Sequence, residues 1–227
     1  MSDRPAALLA AALERRTSPA QARSLQEELA GAVRETPLAA APRLVAGFDV
    51  AYDTRRRLAV AAAVVVDAAT LAPVETVVAT AEVTFPYVPG LLAWRELPAL
   101  LAAWRRLETC PDLVLCDGQG RAHPRRCGLA CMVGLLLDVP AIGCAKSLLI
   151  GRHGRLAARR GASAALVDRR ETVGRAVRTR DGVRPVYVSV GHRITLDEAV
   201  SWVLRLARTR IPEPLRSADR AAAQALR

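Results

Sequence analysis

Asp49 interrupts the apolar run Leu44-Val45-Ala46-Gly47-Phe48-Asp49-Val50, and Asp117 ends another, Leu113-Val114-Leu115-Cys116. A carboxylate inside an apolar strand loses hydration that only a cation or hydrogen bonds restore. Glu96 stands one turn into a helix-patterned segment that follows the loop Pro86-Tyr87-Val88-Pro89-Gly90. If their strands are neighbours, Asp49 and Asp117 could share one hard cation. Mg²⁺ is the natural candidate, because it takes one or two carboxylates, keeps several waters and completes its shell with phosphate oxygen. Such an ion neutralises charge on a phosphodiester and assists an attacking water or a leaving oxygen. Each acid also has a plainer role open to it. Asp49 could cap a bulge, Asp117 could be a turn aspartate before Gly118, and Glu96 could pair with Arg95 or Arg105. Together, on a basic chain, they point to metal-dependent phosphoryl transfer.

The basic balance is large: 33 basic against 22 acidic residues among 227, a net charge of +11. A surface of this sign favours polyanions, nucleic acid before anionic membrane. All but one of the basic residues are arginine, and the exception is Lys146. A site that needs a compact point charge resists exchange of lysine for the planar guanidinium fork. Hydrophobic residues make up 52% of the chain, enough to bury a core and to exclude general disorder. The purest apolar run, residues 59–66, is far below the roughly 20 residues a membrane span requires. The five cysteines are odd in number and form no Cys-x-x-Cys pair, so they read as reduced thiols packed as small apolar groups. Cys127 and Cys131 beside His123 have metal-like spacing, but burial of such residues is the commoner outcome. The expectation is a soluble cytoplasmic monomer.

Positioning these acids requires a sheet. Residues 5–35 read as one or two helices broken at Ser18-Pro19, where Ser18 can cap a helix begun by proline. From residue 43 the period becomes that of strands, at 43–52, 58–66 and 74–85, with turns short enough for antiparallel pairing. A helix over 91–107, a strand over 113–116, a helix over 126–137 and a strand over 141–145 follow. A surface hairpin (165–168 with 172–177), a strand over 186–190, and helices over 196–208 and 215–227 complete the chain. An antiparallel start followed by crossovers predicts one α/β domain with a mixed sheet flanked by helices. A first strand, a first helix after the meander and a fourth strand that each donate an acid is the layout of the ribonuclease H-like fold. The expected division is an N-terminal helical segment, 1–40, packed on a catalytic domain, 41–227.

Six segments then carry a resemblance. They are Gly47-Phe48-Asp49-Val50, the run from Pro86 to Glu96, the run Asp117-Gly118-Gln119-Gly120 through Arg126, Gly143-Cys144-Ala145-Lys146-Ser147, Ser189-Val190-Gly191-His192-Arg193 and Pro212-Glu213-Pro214-Leu215-Arg216. In order, and without large gaps from about residue 43 to 220, they resemble endonuclease V, a family that nicks DNA one phosphodiester 3′ of deoxyinosine. The resemblance implies that Asp49 and Asp117 ligate Mg²⁺, with Mn²⁺ as a substitute, and that Glu96 is a third acid beside the metal. It places Lys146 near the scissile phosphate and Asp219 at the position that completes the acidic cluster. Pro86, Tyr87, Val88 and Pro89 match a wedge inserted where the damaged base leaves the helix. Gly90, Leu92, Gly118, His123, Gly128 and Leu129 match the base pocket. Chemistry is consistent with this, since a proline-stiffened tip with one aromatic can replace a lost stacking partner.

The implied reaction leaves a 3′-hydroxyl and a 5′-phosphate on DNA, with inosine in RNA as a second substrate. Where many members of the family carry a histidine, this chain has Met132, which cannot bond a phosphate or base as imidazole does. His192 reads as structural, suited to capping the helix that follows. Rival readings are a ribonuclease H-like nuclease of other lesion preference, a non-catalytic binding module of the same fold, and a basic protein that binds by charge alone. The last leaves a buried Asp49 unexplained.

Overall fold

The structure, a computed structural model, describes residues 4–15 and 17–226. Two helices come first, α1 (Arg4–Glu14) and α2 (Pro19–Ala30). Ser18 caps α2 through a reciprocal box with Gln21, and Pro19 opens the helix. Then β1 (Leu44–Asp53), β2 (Leu58–Asp67) and β3 (Pro73–Glu82) form the expected antiparallel meander. The chain crosses through α3 (Ala93–Trp104) to β4 (Leu113–Cys116), and through α4 (Leu129–Leu137) to β5 (Ala141–Ala145). β1, β4 and β5 lie parallel. After them come β6 (Ser163–Asp168), β7 (Glu171–Val177), β8 (Val186–His192), α5 (Leu196–Leu206) and α6 (Glu213–Gln224). The order across the sheet is β3-β2-β1-β4-β5-β8-β7-β6, a mixed sheet in a single α/β domain.

Three expectations need correction. The arginine-rich hairpin is not an appendage: β7 pairs with β8, so β6 and β7 extend the main sheet to its far edge. The charges clustered around its turn masked short strands that bury Leu166, Val173, Ala176 and Val177. The helix expected from residue 126 starts at Leu129, because Arg126 takes a left-handed conformation (φ 56°) and Gly128 is an extended N-cap. α6 begins two residues early, at Glu213, since Pro214 is tolerated in a first turn that has no N–H to lose; Arg227 lies outside the described residues.

Pleat alternation divides the core. Ala46, Phe48, Val114 and Cys116 face the layer that includes Leu9 of α1, Leu29 of α2, Trp94 and Leu97 of α3 and Met132 of α4. Val45, Leu113 and Leu115 face the layer of Trp202, Val203, Leu215 and Ala218 from α5 and α6. β1 and α6 approach so closely that a Cβ on Gly47 would lie 2.2 Å from the Pro214 carbonyl carbon. No helix among the described residues is long and apolar enough to cross a membrane.

Candidate active site

The parallel register pairs Phe48 with Cys116, and the Asp117 N–H donates to the Phe48 carbonyl at 3.0 Å. Asp49 and Asp117 therefore follow each other across the junction of two central strands, on the sheet face that α6 covers. α6 brings Asp219 to the same place. Lys146, directly after β5, stands between all three: its Nζ is 2.5 Å from Asp117 Oδ2, 3.3 Å from Asp219 Oδ1 and 3.8 Å from Asp49 Oδ2. Glu96 arrives from the opposite layer on α3, buried, and accepts a hydrogen bond from the Tyr52 hydroxyl at 3.2 Å.

Charge is crowded here. Burial, then the field of Asp117, pushes the Asp49 carboxyl up to about 7. Burial pushes Glu96 up to about 8, although the Tyr52 hydroxyl pulls it back. Burial also raises Asp117, against the pull of Lys146. For Lys146 burial acts downward, but the hydrogen bond and the fields of the three aspartates hold it above its ordinary value. Hard carboxylate oxygens that surround one positive group, with their own ionisation still suppressed, fit a divalent cation of the Mg²⁺ class. Among the described residues no three acidic, histidine or cysteine side chains enclose an ion by themselves. The ammonium of Lys146 sits among the carboxylates.

Around this floor opens a cleft of about 530 Å³, within the range that holds a small ligand or an extruded base. Gly90, Leu92, Gly118, His123, Gly128 and Leu129 all line it, as do Tyr87, Val88 and Pro89. Pro86 does not; it lies in an adjoining hollow with Tyr52 and Arg95. Tyr87 is 71% exposed, whereas Phe85 below it is buried and stacked on Trp94 at 6.1 Å. The loop is thus a projecting tip on an anchored base, and Arg95 ties that base by donating to the Phe85 carbonyl at 3.0 Å. Gly90 turns the chain at φ 77°, a conformation side chains avoid, and its carbonyl accepts from Arg125 at 2.6 Å. His123 is buried with Nε2 2.9 Å from the same carbonyl, and burial lowers it to about 4, so it is a neutral wall residue.

Other expectations resolve locally. Cys131 points its thiol at the Arg126 and Val190 carbonyls, and Cys127 and Cys131 are packed rather than poised around His123. Met132 is fully buried, with its sulfur 3.8 Å from Gln26 Nε2, so its side chain is core beneath the cleft. His192 does not cap α5; Thr195 does, through a box with Glu198, while His192 Nδ1 accepts from the Arg34 N–H.

Sequence reasoning missed Tyr52, and it missed Gln26. Gln26 of α2 is fully buried, lines the cleft, donates to the Cys127 carbonyl at 2.9 Å and accepts from Arg125 Nε at 2.9 Å. Only the polarity of one residue on the apolar face of α2 hinted at this. Gln119, in the run after Asp117, also lines the cleft, and its buried side-chain carbonyl has no hydrogen-bond partner among the described residues.

A sequence model of the endonuclease V family matches residues 27–220. The chain belongs to the endonuclease V family. It is 53% identical over 200 residues to an endonuclease V of Geotalea uraniireducens, an alignment that covers 88% of this chain and 85% of that one. An endonuclease V of Streptomyces avermitilis superposes with a TM-score of 0.88 at 48% identity, covering 92% of this chain and 93% of that chain. An endonuclease V of Ciona intestinalis, solved with a 23mer DNA containing an inosine followed by a ribo-adenosine, superposes with a TM-score of 0.80 at 28% identity, covering 91% of this chain and 96% of that one. As an endonuclease V this protein is a nuclease, a hydrolase that acts on DNA.

Proposed function

We propose that this endonuclease V nicks DNA at deoxyinosine, at the second phosphodiester on the 3′ side counted from the base (one bond beyond the lesion), and leaves a 3′-hydroxyl and a 5′-phosphate. The observation that carries the reading is the convergence of Asp49, Asp117, Asp219 and Lys146 on the floor of a cleft whose rim is the projecting Tyr87. The inosine-containing DNA bound to the Ciona relative supports the substrate. Inosine in RNA is a second substrate on this reading. Residues 41–227 form the nuclease domain, 1–40 brace it, and the protein works as a cytoplasmic monomer.

In this scheme Asp49 and Asp117 hold Mg²⁺, with Mn²⁺ accepted in its place, and Asp219 and Glu96 complete the acidic surround. The ion supplies charge neutralisation at the phosphodiester and acidifies a water. Lys146 keeps a permanent positive charge within 3.8 Å of all three aspartates and so steadies a phosphate brought to the same floor. Glu96, protonated at neutral pH in the free protein, is the acid best placed to exchange a proton there, with its Oε1 oriented by Tyr52. Hypoxanthine presents a carbonyl and a ring N–H and lacks the amine of guanine. Backbone groups at Gly90, Leu92, Gly118 and Gly128 are suited to that edge, and Leu129 and neutral His123 give the walls.

Strand-resolved cleavage of matched inosine and unmodified oligonucleotides, DNA and RNA, with Mg²⁺, Ca²⁺ or chelator tests the whole reading. Cleavage that ignores inosine sinks it. Tyr87→Ala should weaken binding of inosine duplex about tenfold, since base–aromatic stacking contributes about 1–3 kcal/mol. Because the ring is 71% exposed, Tm should not move. Equal affinity in fluorescence anisotropy removes the wedge.

The suppressed carboxylates give a pH signature. Folded values raised to about 7 for Asp49 and about 8 for Glu96 leave protons on the metal-free site at pH 7. Binding Mg²⁺ on Asp49 must displace the proton there, while Glu96, not a ligand in this scheme, keeps its own, so affinity should rise with pH through about 7 and level off above it. Calorimetry in two buffers of different ionisation heat should show net proton release at pH 7, about half a proton per ion from Asp49. No release would mean that the ion binds elsewhere.

A further inference from the structure

The turn between β6 and β7 is made of two residues, Arg169 and Arg170, closed by pairing of Asp168 with Glu171. Both arginines sit at positive φ, 50° and 68°. Two-residue hairpins of this kind favour Asn-Gly, because side-chain-bearing residues are disfavoured in the left-handed region. The sequence therefore keeps arginine where it is conformationally expensive. The flanking acids do not neutralise them. Asp168 pairs with Arg126 at 2.9 Å, and Glu171 pairs with Arg126 at 2.7 Å and Arg121 at 2.8 Å. Both acids are thus consumed by the loop that follows Asp117. Arg169 and Arg170 are exposed and make no ion pair or side-chain hydrogen bond among the described residues. Arg152, whose backbone bonds both ways with Val167 on the outer edge of β6, adds a third exposed and unpaired guanidinium.

The bracing also fixes where the tip is. Arg126 lies two residues before Gly128 and three after His123, both in the cleft wall. Its guanidinium reaches across to the two acids of the turn and back to the His123 carbonyl at 3.0 Å. A rigid charge-neutral base, tied to the wall of the cleft, thus carries two uncompensated cations outward.

We propose that the Arg169-Arg170 tip is a phosphate clamp that grips the backbone of duplex DNA flanking the cleft and, through Arg126, registers that duplex against the base pocket. The proposal rests on the reading of the chain as an inosine-directed nuclease only for the identity of the bound polymer. Phosphate contacts of this kind fix position and carry no sequence information. They also release counterions, so each leaves a mark on salt dependence.

The discriminating variant is the double substitution Arg169→Asn with Arg170→Gly, which installs the preferred turn and removes both charges. Its Tm should equal or exceed that of the parent. Affinity for unmodified and for inosine duplex should fall together, several-fold at low salt. The slope of log affinity against log salt should flatten by about 0.9 for each lost contact. Single-turnover nicking at sub-saturating DNA should fall together with affinity. A second variant, Arg169→Lys with Arg170→Lys, retains the charges and should retain the slope. Equal slopes for parent and Asn-Gly variant overturn the clamp. Failure of the parent to prefer inosine instead overturns the substrate reading, and leaves the salt slopes on unmodified duplex to decide the clamp on their own.

Discussion

Asp117→Asn should reduce nicking of an inosine duplex by about 10³-fold or more, the scale on which loss of one charge-stabilising group acts. Asp49→Asn should match it. The geometry gives the reason, since Asp117 is 2.5 Å from Lys146 and follows Asp49 across the junction of the two central strands. The same substitutions should not destabilise the metal-free protein. At pH 8 the folded state holds Asp49 ionised against a value raised to about 7, and each unit of such a rise corresponds to about 1.4 kcal/mol that opposes folding. The sign follows directly: a folded value above the unfolded one loses stability as pH climbs through that interval, and asparagine removes the loss. Thermal melts in chelator at pH 8 should show Asp49→Asn equal to or above the parent while its nicking is gone. Retained nicking, in a variant that melts normally, would falsify the assignment of these aspartates.

The second large effect is structural in origin. Gly47→Ala adds a methyl where the Pro214 carbonyl carbon lies 2.2 Å and its oxygen 2.3 Å away, backbone atoms that cannot rotate aside. α6 must move off β1 or the strand must bend. Overpacking of this kind costs about 1–3 kcal/mol, which in a domain of this size lowers Tm by about 2–4 °C for each kcal/mol. The functional loss should exceed the stability loss, because α6 carries Asp219 and Asp49 is two residues along the displaced strand. Gly31→Ala is the control: its nearest contact would be the Glu28 carbonyl at 3.7 Å in a right-handed cap, and both Tm and nicking should be unchanged. If Gly47→Ala nicks at the parental rate, the close approach of helix and strand does not set the site.

Much of the site was legible because its residues break local rules. Asp49 stands out as a charge inside an apolar strand and Asp117 as one at the end of another, the single lysine stands out among arginines, and prolines on both sides of Tyr87 mark a stiff exposed loop. Part of the sheet was legible too: the antiparallel meander and the neighbouring first and fourth strands were expected, whereas the place of β6 and β7 at its far edge was not. What escaped was long-range. Tyr52 meets Glu96 across 44 positions, and Gln26 meets Arg125 across 99, so neither pair leaves a local trace. Met132 resembled a lost polar contact in the sequence, yet its position on α4 faces the core. The β6–β7 hairpin looked peripheral because its charges cluster around the turn, whereas Leu166, Val173 and Ala176 in its strands are buried.

Asp219 reaches the floor of the cleft on the last helix, while the strands that bear Asp49 and Asp117 pair much earlier in the chain. Until that helix docks, the groove beside Gly47 lies open to water and the acidic cluster has one member too few. Docking of α6 on β1 therefore ties the completeness of the acidic cluster to one helix–strand contact, and whatever loosens that contact withdraws a carboxylate from Lys146.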